Sequence, residues 1–231
     1  GFVGGELLED HHGLVDTDLV ERASEQVGDP HAVHRRYASE LLAELPPEIL
    51  ASVREPFGAR AVIYCLLLDQ DTRIRARQTQ ALLERADPGV LQLASRLQEP
   101  IARLDPRVRL PLVDVALPAL RALSPEQYRQ FDACVDVLMR ADQSLSLFEW
   151  TLGRILKLHL APQFEGEHRT PTRYYGLQKL GPQCSLLLST LAHIGHDPAA
   201  AQRAFTAGAL VLPEVPLRWM SREECGLPQL Q

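Results

Sequence analysis

Five times along this chain an aspartate or serine, both helix-capping side chains, stands directly before a proline: Asp29-Pro30, Asp87-Pro88, Asp105-Pro106, Ser124-Pro125 and Asp197-Pro198. The pairing has a definite physical use. The side-chain oxygen of the first residue accepts a backbone N–H that the first helical turn leaves unpaired. Proline at the next position has no N–H to lose, and its φ already suits a helix. At Ser124 the signal is doubled, because Gln127 sits three residues on and completes a capping box. These starts and the apolar spacing between them predict helices near 16–27, 30–45, 56–68, 71–86, 88–104, 107–122, 125–141, 147–160, 173–194 and 198–211.

Within those segments the apolar period is close to that of a helix. In 71–86, Ile74, Ala81, Leu82 and Ala86 share one side while Arg73, Arg77 and Glu84 lie elsewhere. Valine and isoleucine are sparse, alternation of period two is absent, and neither Asn-Gly nor Asp-Gly occurs, so nothing argues for a sheet. The expected fold is all-α, a multi-helix array. The stretch 107–122, "RVRLPLVDVALPALRA", is apolar nearly all round and reads as the central buried helix, with a kink or break at Pro118. Segment 161–172 reads as a loop. The expected organisation is a flexible N-terminal segment with a short helix (1–28), an N-terminal helical subdomain (29–105), a compact helical bundle (106–212) and a proline-containing tail (213–231). Residues 65–86 have a faint HEAT-repeat look, but no second copy follows.

Composition limits the function classes. The net charge of −6 argues against a general nucleic-acid surface, which carries a basic excess. Cys65, Cys134, Cys184 and Cys225 lie far apart with no CxxC, a pattern expected of reduced thiols in the cytosol. The apolar run "AVIYCLLL" at 61–68 is far short of the roughly 20 residues a membrane helix needs, so this chain is not expected to insert into a membrane by itself. No signal peptide is read at its start.

The stretch 141–156, "ADQSLSLFEWTLGRIL", poses the sharpest question about chemistry. As a calcium loop beginning at Asp142, it has Leu147 where the turn needs glycine and Gly153 where a bidentate glutamate is needed. As a helix start it is complete. Ser146 is the cap, Glu149 closes a capping box, and Leu145 with Trp150 forms a hydrophobic staple. Asp142 is expected to bond a free N–H in the preceding turn. The structural cap and turn residues are therefore Asp142, Ser146, Glu149, Trp150, Ser124 and Gln127, with no catalytic, cofactor or metal residue among them. His193 and His196 could face one ion, but two ligands make no zinc site, and both suit a helix C-terminus. "EDHHG" at 9–13 shares an Asp-His-His run with DHH phosphoesterases but not their other acidic motifs. "RIRAR" at 73–77 reads as a solvated helix face. HExxH, GxSxG, a P-loop and GxGxxG are all absent from the sequence.

Five segments in order, "LLLDQDTRIRARQ" (66–78), "RLPLVDVALPALRALSPEQYRQF" (109–131), "ADQSLSLFEWTLGRIL" (141–156), "LLLSTLAHIG" (186–195) and "AAQRAF" (200–205), resemble the C-terminal soluble region of bacterial HtpX-like membrane zinc metallopeptidases. The similarity spans about residues 27 to 213. In that family a membrane-embedded peptidase domain with HExxH precedes this region, so no zinc ligand or catalytic glutamate is carried over. The resemblance implies a non-catalytic accessory domain, inactive alone, at the cytoplasmic face of the inner membrane. Its implied partners are the parent's peptidase domain and a protein substrate or partner, and zinc is implied for the parent only. Residues 106–212 also resemble the TerB-like helical fold through Asp142 and Glu149 seven residues on. Gln143 stands where glycine is frequent, so no metal role is carried over. That resemblance implies a binding or sensing module independent of proteolysis. The third class is an independent hydrolase using a histidine site.

Overall fold

The computed structural model of the chain describes residues 40–43, 45–141, 146–166, 176–194 and 197–230. All regular structure among them is helical, and the fold is all-α. The α-helices are α1 (Pro47–Val53), α2 (Pro56–Leu67), α3 (Thr72–Arg85), α4 (Pro88–Ala102), α5 (Arg109–Arg121), α6 (Pro125–Met139), α7 (Leu147–Phe164), α8 (Gly181–His193) and α9 (Pro198–Leu210). Short 3-10 turns occupy Pro106–Val108, Leu177–Leu180 and Leu227–Leu230. No helix among the described residues is long and apolar enough to cross a membrane.

The capping pairs start helices as their chemistry requires. Asp87 accepts from the N–H groups of Gly89 and Val90, and Asp197 from those of Ala199 and Ala200. Ser124 and Gln127 exchange side chain and backbone in a full box, at 3.2 and 2.9 Å. Asp105 caps a 3-10 turn, and α5 begins two residues after the expected start. Asp71, with no proline after it, caps α3 in the same way. Asp29 and the expected helices 16–27 and most of 30–45 lie outside the described residues.

The chain divides into two compact units, Gly1–Ser144 with Thr151–Gly166, and Leu145–Trp150 with Glu167–Gln231. Residues 105 and 106, the expected boundary between an N-terminal subdomain and a bundle, lie together inside the first unit. There α2 packs on α1, α4, α5 and α6, so helices from both sides of that position share one core. The centre of this core is α2 and not the 107–122 helix. Every residue from Gly58 to Leu67 is buried. Helix α5 buries Leu112, Val113, Ala116, Leu117, Ala119 and Leu120 but leaves Asp114, Pro118 and Arg121 open. Pro118 does not end α5. It deprives the carbonyl of Asp114 of its partner on the side where both residues are exposed, so the unmade bond faces water.

Two details fix how the helices meet. A Cβ at Gly58 would stand 2.1 Å from the carbonyl oxygen of Ser52, so only glycine lets α2 turn this closely off α1. Gln78, 1% exposed, joins three chain segments. Its amide nitrogen donates to the carbonyls of Leu67 (2.9 Å) and Leu138 (3.0 Å), and its oxygen accepts from the N–H of Asp69 (2.8 Å). The ends of α2 and α6 have carbonyls with no partner inside the helix; this one side chain satisfies that of Leu67 and adds a second donor to that of Leu138, which also accepts from the N–H of Ala141 at 3.4 Å.

In the second unit α8 and α9 pack together, and the tail lies against α8. The hydroxyls of Ser185 and Ser189 accept from the N–H groups of Arg218 and Met220, at 2.9 and 3.1 Å. A Cβ at Gly181 would meet the carbonyl oxygen of Pro216 at 2.6 Å. Small residues one turn apart thus form a shelf for a segment that is not helical over 216–221.

Candidate functional site

Helix α6 and the C-terminal end of α7, both in the first unit, border a surface cleft of about 340 Å3. Capping at Ser124 starts α6 so that Tyr128, Asp132 and Asp136, each four residues on, share one face. Helix α7 continues past residue 160 to Phe164, although 161–172 reads as a loop and Pro162 lies within its last turn. Proline there removes a bond to the carbonyl of Leu158, which is 71% exposed and open to water. The extra turn brings Phe164 and Glu165 to the cleft. The Tyr128 and Phe164 rings stack at 4.3 Å, with 10° between their planes. The Tyr128 hydroxyl donates to Glu165 Oε1 at 2.9 Å.

The electrostatics are those of crowded carboxylates. Desolvation, and then the neighbouring Asp136 and Glu165, push Asp132 above the usual carboxylate range, with Lys157 opposing. Tyr128 is raised by burial and by its bond to Glu165. Arg129 lines the same cleft. An aromatic pair beside three carboxylates suits a cationic side chain, which would relieve the repulsion and contact a ring.

The residues singled out in the sequence fall elsewhere. The Ser146 N–H donates to Glu149 Oε2 at 2.8 Å, and the Glu149 N–H to Ser146 Oγ at 3.2 Å. Both groups of this acidic turn are thus engaged in starting α7. Asp142 and Leu145 lie outside the described residues, and Trp150 is half-buried in the first turn of α7. His193 stands at the C-terminal end of α8, where its Nε2 lies 3.1 Å from the Met220 carbonyl. Its ring packs on Trp219 at 4.6 Å, and Trp219 in turn meets Phe205 edge-on at 5.2 Å. The imidazole pins the tail. His196 and residues 9–13 lie outside the described residues. No group of three or more His, Cys, Asp or Glu that could hold a metal ion occurs among the described residues.

Within "RIRAR", Arg75 bonds the carbonyls of Asp69 and Gln70, while Arg73 and Arg77 are exposed. The Cys65 thiol donates to the Ala94 carbonyl, and burial pushes it up to about 12. It is a packing group and not a nucleophile at neutral pH. The cleft is not legible in the sequence, because Tyr128 and Glu165 are 37 residues apart and no motif links them. The regular step Tyr128-Asp132-Asp136 is the one available signal.

No protein-family model, no curated protein and no solved structure matches this chain.

Proposed function

We propose that this chain is a non-catalytic accessory domain that recognises a protein segment on behalf of a membrane zinc metallopeptidase. The resemblance of its ordered segments to the soluble C-terminal region of HtpX-like peptidases supplies the context. The cleft between α6 and α7 is the observation that carries the recognition role. Its carboxylates Asp132, Asp136 and Glu165 and its stacked aromatic pair suit a basic side chain of a substrate or partner. The reading is further supported by reactive groups that are committed to structure, His193 to the tail and Cys65 to a carbonyl. The TerB-like sensing reading draws on Glu149, whose carboxylate is spent on capping α7.

The test is kinetic. In the parent peptidase, Asp132→Asn and Glu165→Gln should raise KM for a basic protein substrate and leave kcat near its starting value. The chain alone should not cleave that substrate with zinc present. Cleavage by the chain alone, or variants that lower kcat at unchanged KM, would overturn the proposal.

A further inference from the structure

Exposed apolar side chains concentrate in the second unit. Eight large hydrophobic residues stand open to solvent among the described residues, and five belong to it: Leu177, Leu187, Leu191, Leu210 and Val211. Leu187 and Leu191 are one turn apart on α8, at 39% and 41% exposure. Two sides of α8 are already taken. Ser185 and Ser189 hold the tail, and Leu188 meets α9, where a Cβ on Gly208 would stand 3.0 Å from its Cδ2. The third side is formed by Cys184, Leu187 and Leu191, and half-buried Leu180 and Ile194 continue it at the two caps.

The steps along this side, from 180 to 184, 187, 191 and 194, alternate between four residues and three. That is the heptad spacing by which one helix presents a seam to another. A helix face that meets only water carries polar residues instead. Charge then selects the partner. Helix α8 is the one described α-helix without Asp, Glu, Lys or Arg, and His193 at its end is turned to the Met220 carbonyl. A strongly basic or acidic partner finds no opposite charge along this seam. The helix also lacks the Lys and Arg by which an interfacial helix holds an anionic membrane. Two copies of this chain, each at −6, repel one another unless they meet through an uncharged surface. The seam is such a surface, and it matches itself, because equal leucine spacings interdigitate about a two-fold axis.

We propose that α8 is a homodimer contact, in which Cys184, Leu187 and Leu191 of two copies pack across a two-fold axis. The seam is about 20 Å long, roughly two heptads, which places the contact among small, transient interfaces. The dimer is therefore weak, with a dissociation constant on the order of 100 μM. The inference rests on neither the cleft nor the peptidase reading.

The test uses the whole chain. Sedimentation equilibrium in reducing buffer, from ~10 μM to ~1 mM, should show the mass rising from the monomer value toward twice it. Leu187→Glu combined with Leu191→Glu should raise the dissociation constant at least ~tenfold, since like charges then meet across the axis. Leu83→Glu with Leu158→Glu adds the same charge at exposed positions of the first unit and should leave dimerisation near its starting value. A second measurement traps the pair. Leu187→Cys in a Cys184→Ser background puts a thiol at the middle of the seam, which faces its own copy whether the helices run parallel or antiparallel. Mild oxidation should give a covalent dimer, while the remaining thiols, Cys65, Cys134 and Cys225, are buried. A chain that stays monomeric to ~1 mM and gives no covalent dimer would overturn the proposal. Slow labelling of Cys184 in that monomer would mean that the chain's own segments cover the seam, and fast labelling that a different partner does. A dimer left unchanged by the two glutamates at 187 and 191 would refute the seam equally. If that variant does not fold, the parent chain and the trapped pair still decide.

Discussion

Replacing Gln78 by leucine tests the account of the first unit's core. The two side chains are similar in volume, so no large cavity is opened, and the change falls on the three hydrogen bonds. Two of the bonded groups, the carbonyls of Leu67 and Leu138, end buried helices, and the third is the half-buried N–H of Asp69. Each bond lost to a partner left in the interior costs about 1 kcal/mol, and more where the partner is fully desolvated. Three such losses amount to at most about 3 kcal/mol, since the Leu138 carbonyl keeps the N–H of Ala141, and are offset by no more than ~1 kcal/mol from the added apolar burial. We expect a net loss of about 1–2 kcal/mol in urea unfolding monitored by helical circular dichroism, with the slope unchanged. Gln78→Glu should cost at least as much, because it replaces a donor with a buried charge. A loss below ~0.5 kcal/mol for the leucine variant would show that water or a shifted backbone satisfies these groups and that Gln78 does not join the three segments.

Other outcomes follow from single contacts. Ser146→Ala should cost ~1 kcal/mol by removing the cap of α7, and calcium or a chelator should leave the melting temperature unchanged. Gly58→Ala should be far more disruptive than an ordinary helix Gly→Ala change, because its Cβ would meet the Ser52 carbonyl at 2.1 Å. Thermal unfolding would show this, and an unchanged melting temperature would refute the close approach of α1 and α2. Leu112→Ala should cost ~2–5 kcal/mol in the same assay, since Leu112 is fully buried in α5. Asp132 has a raised folded-state pKa, so its penalty is absent below the ordinary carboxylate range, grows as pH rises through the folded value, and is complete only above it. Asp132→Asn should therefore raise the melting temperature at pH 7 and leave it unchanged well below about pH 4, a crossover that pH-dependent melting curves would show.

The helical architecture is legible because its cues are local. A capping oxygen and the N–H groups it accepts lie within three residues, so Asp87, Ser124 and Asp197 announce α4, α6 and α9 from the sequence alone. Rank within the core is not legible. The 107–122 stretch and the 61–68 run are both apolar, and only packing shows that α2 is enclosed on all sides while α5 keeps an open face. Helix α1 escapes a reading by pattern because Pro46-Pro47 looks like a stop, whereas Pro47 in fact opens a seven-residue helix. The end of α7 is easily placed too early because Pro162 looks like a breaker, and it is tolerated where the freed carbonyl faces water. The cleft depends on that extra turn, so the four residues from 161 to 164 are enough to hide it. Arg60 does carry a signal, a lone charge in an apolar run, but whether it has a partner can be learned only from the fold.

The most direct test of the central claim is to find these residues in the native gene product. Antibodies against the chain should detect it in the membrane fraction as part of a longer polypeptide, and mass spectrometry of that polypeptide should yield a peptide containing HExxH. Recovery from the soluble fraction of a polypeptide no longer than these 231 residues would contradict an accessory role in a membrane peptidase.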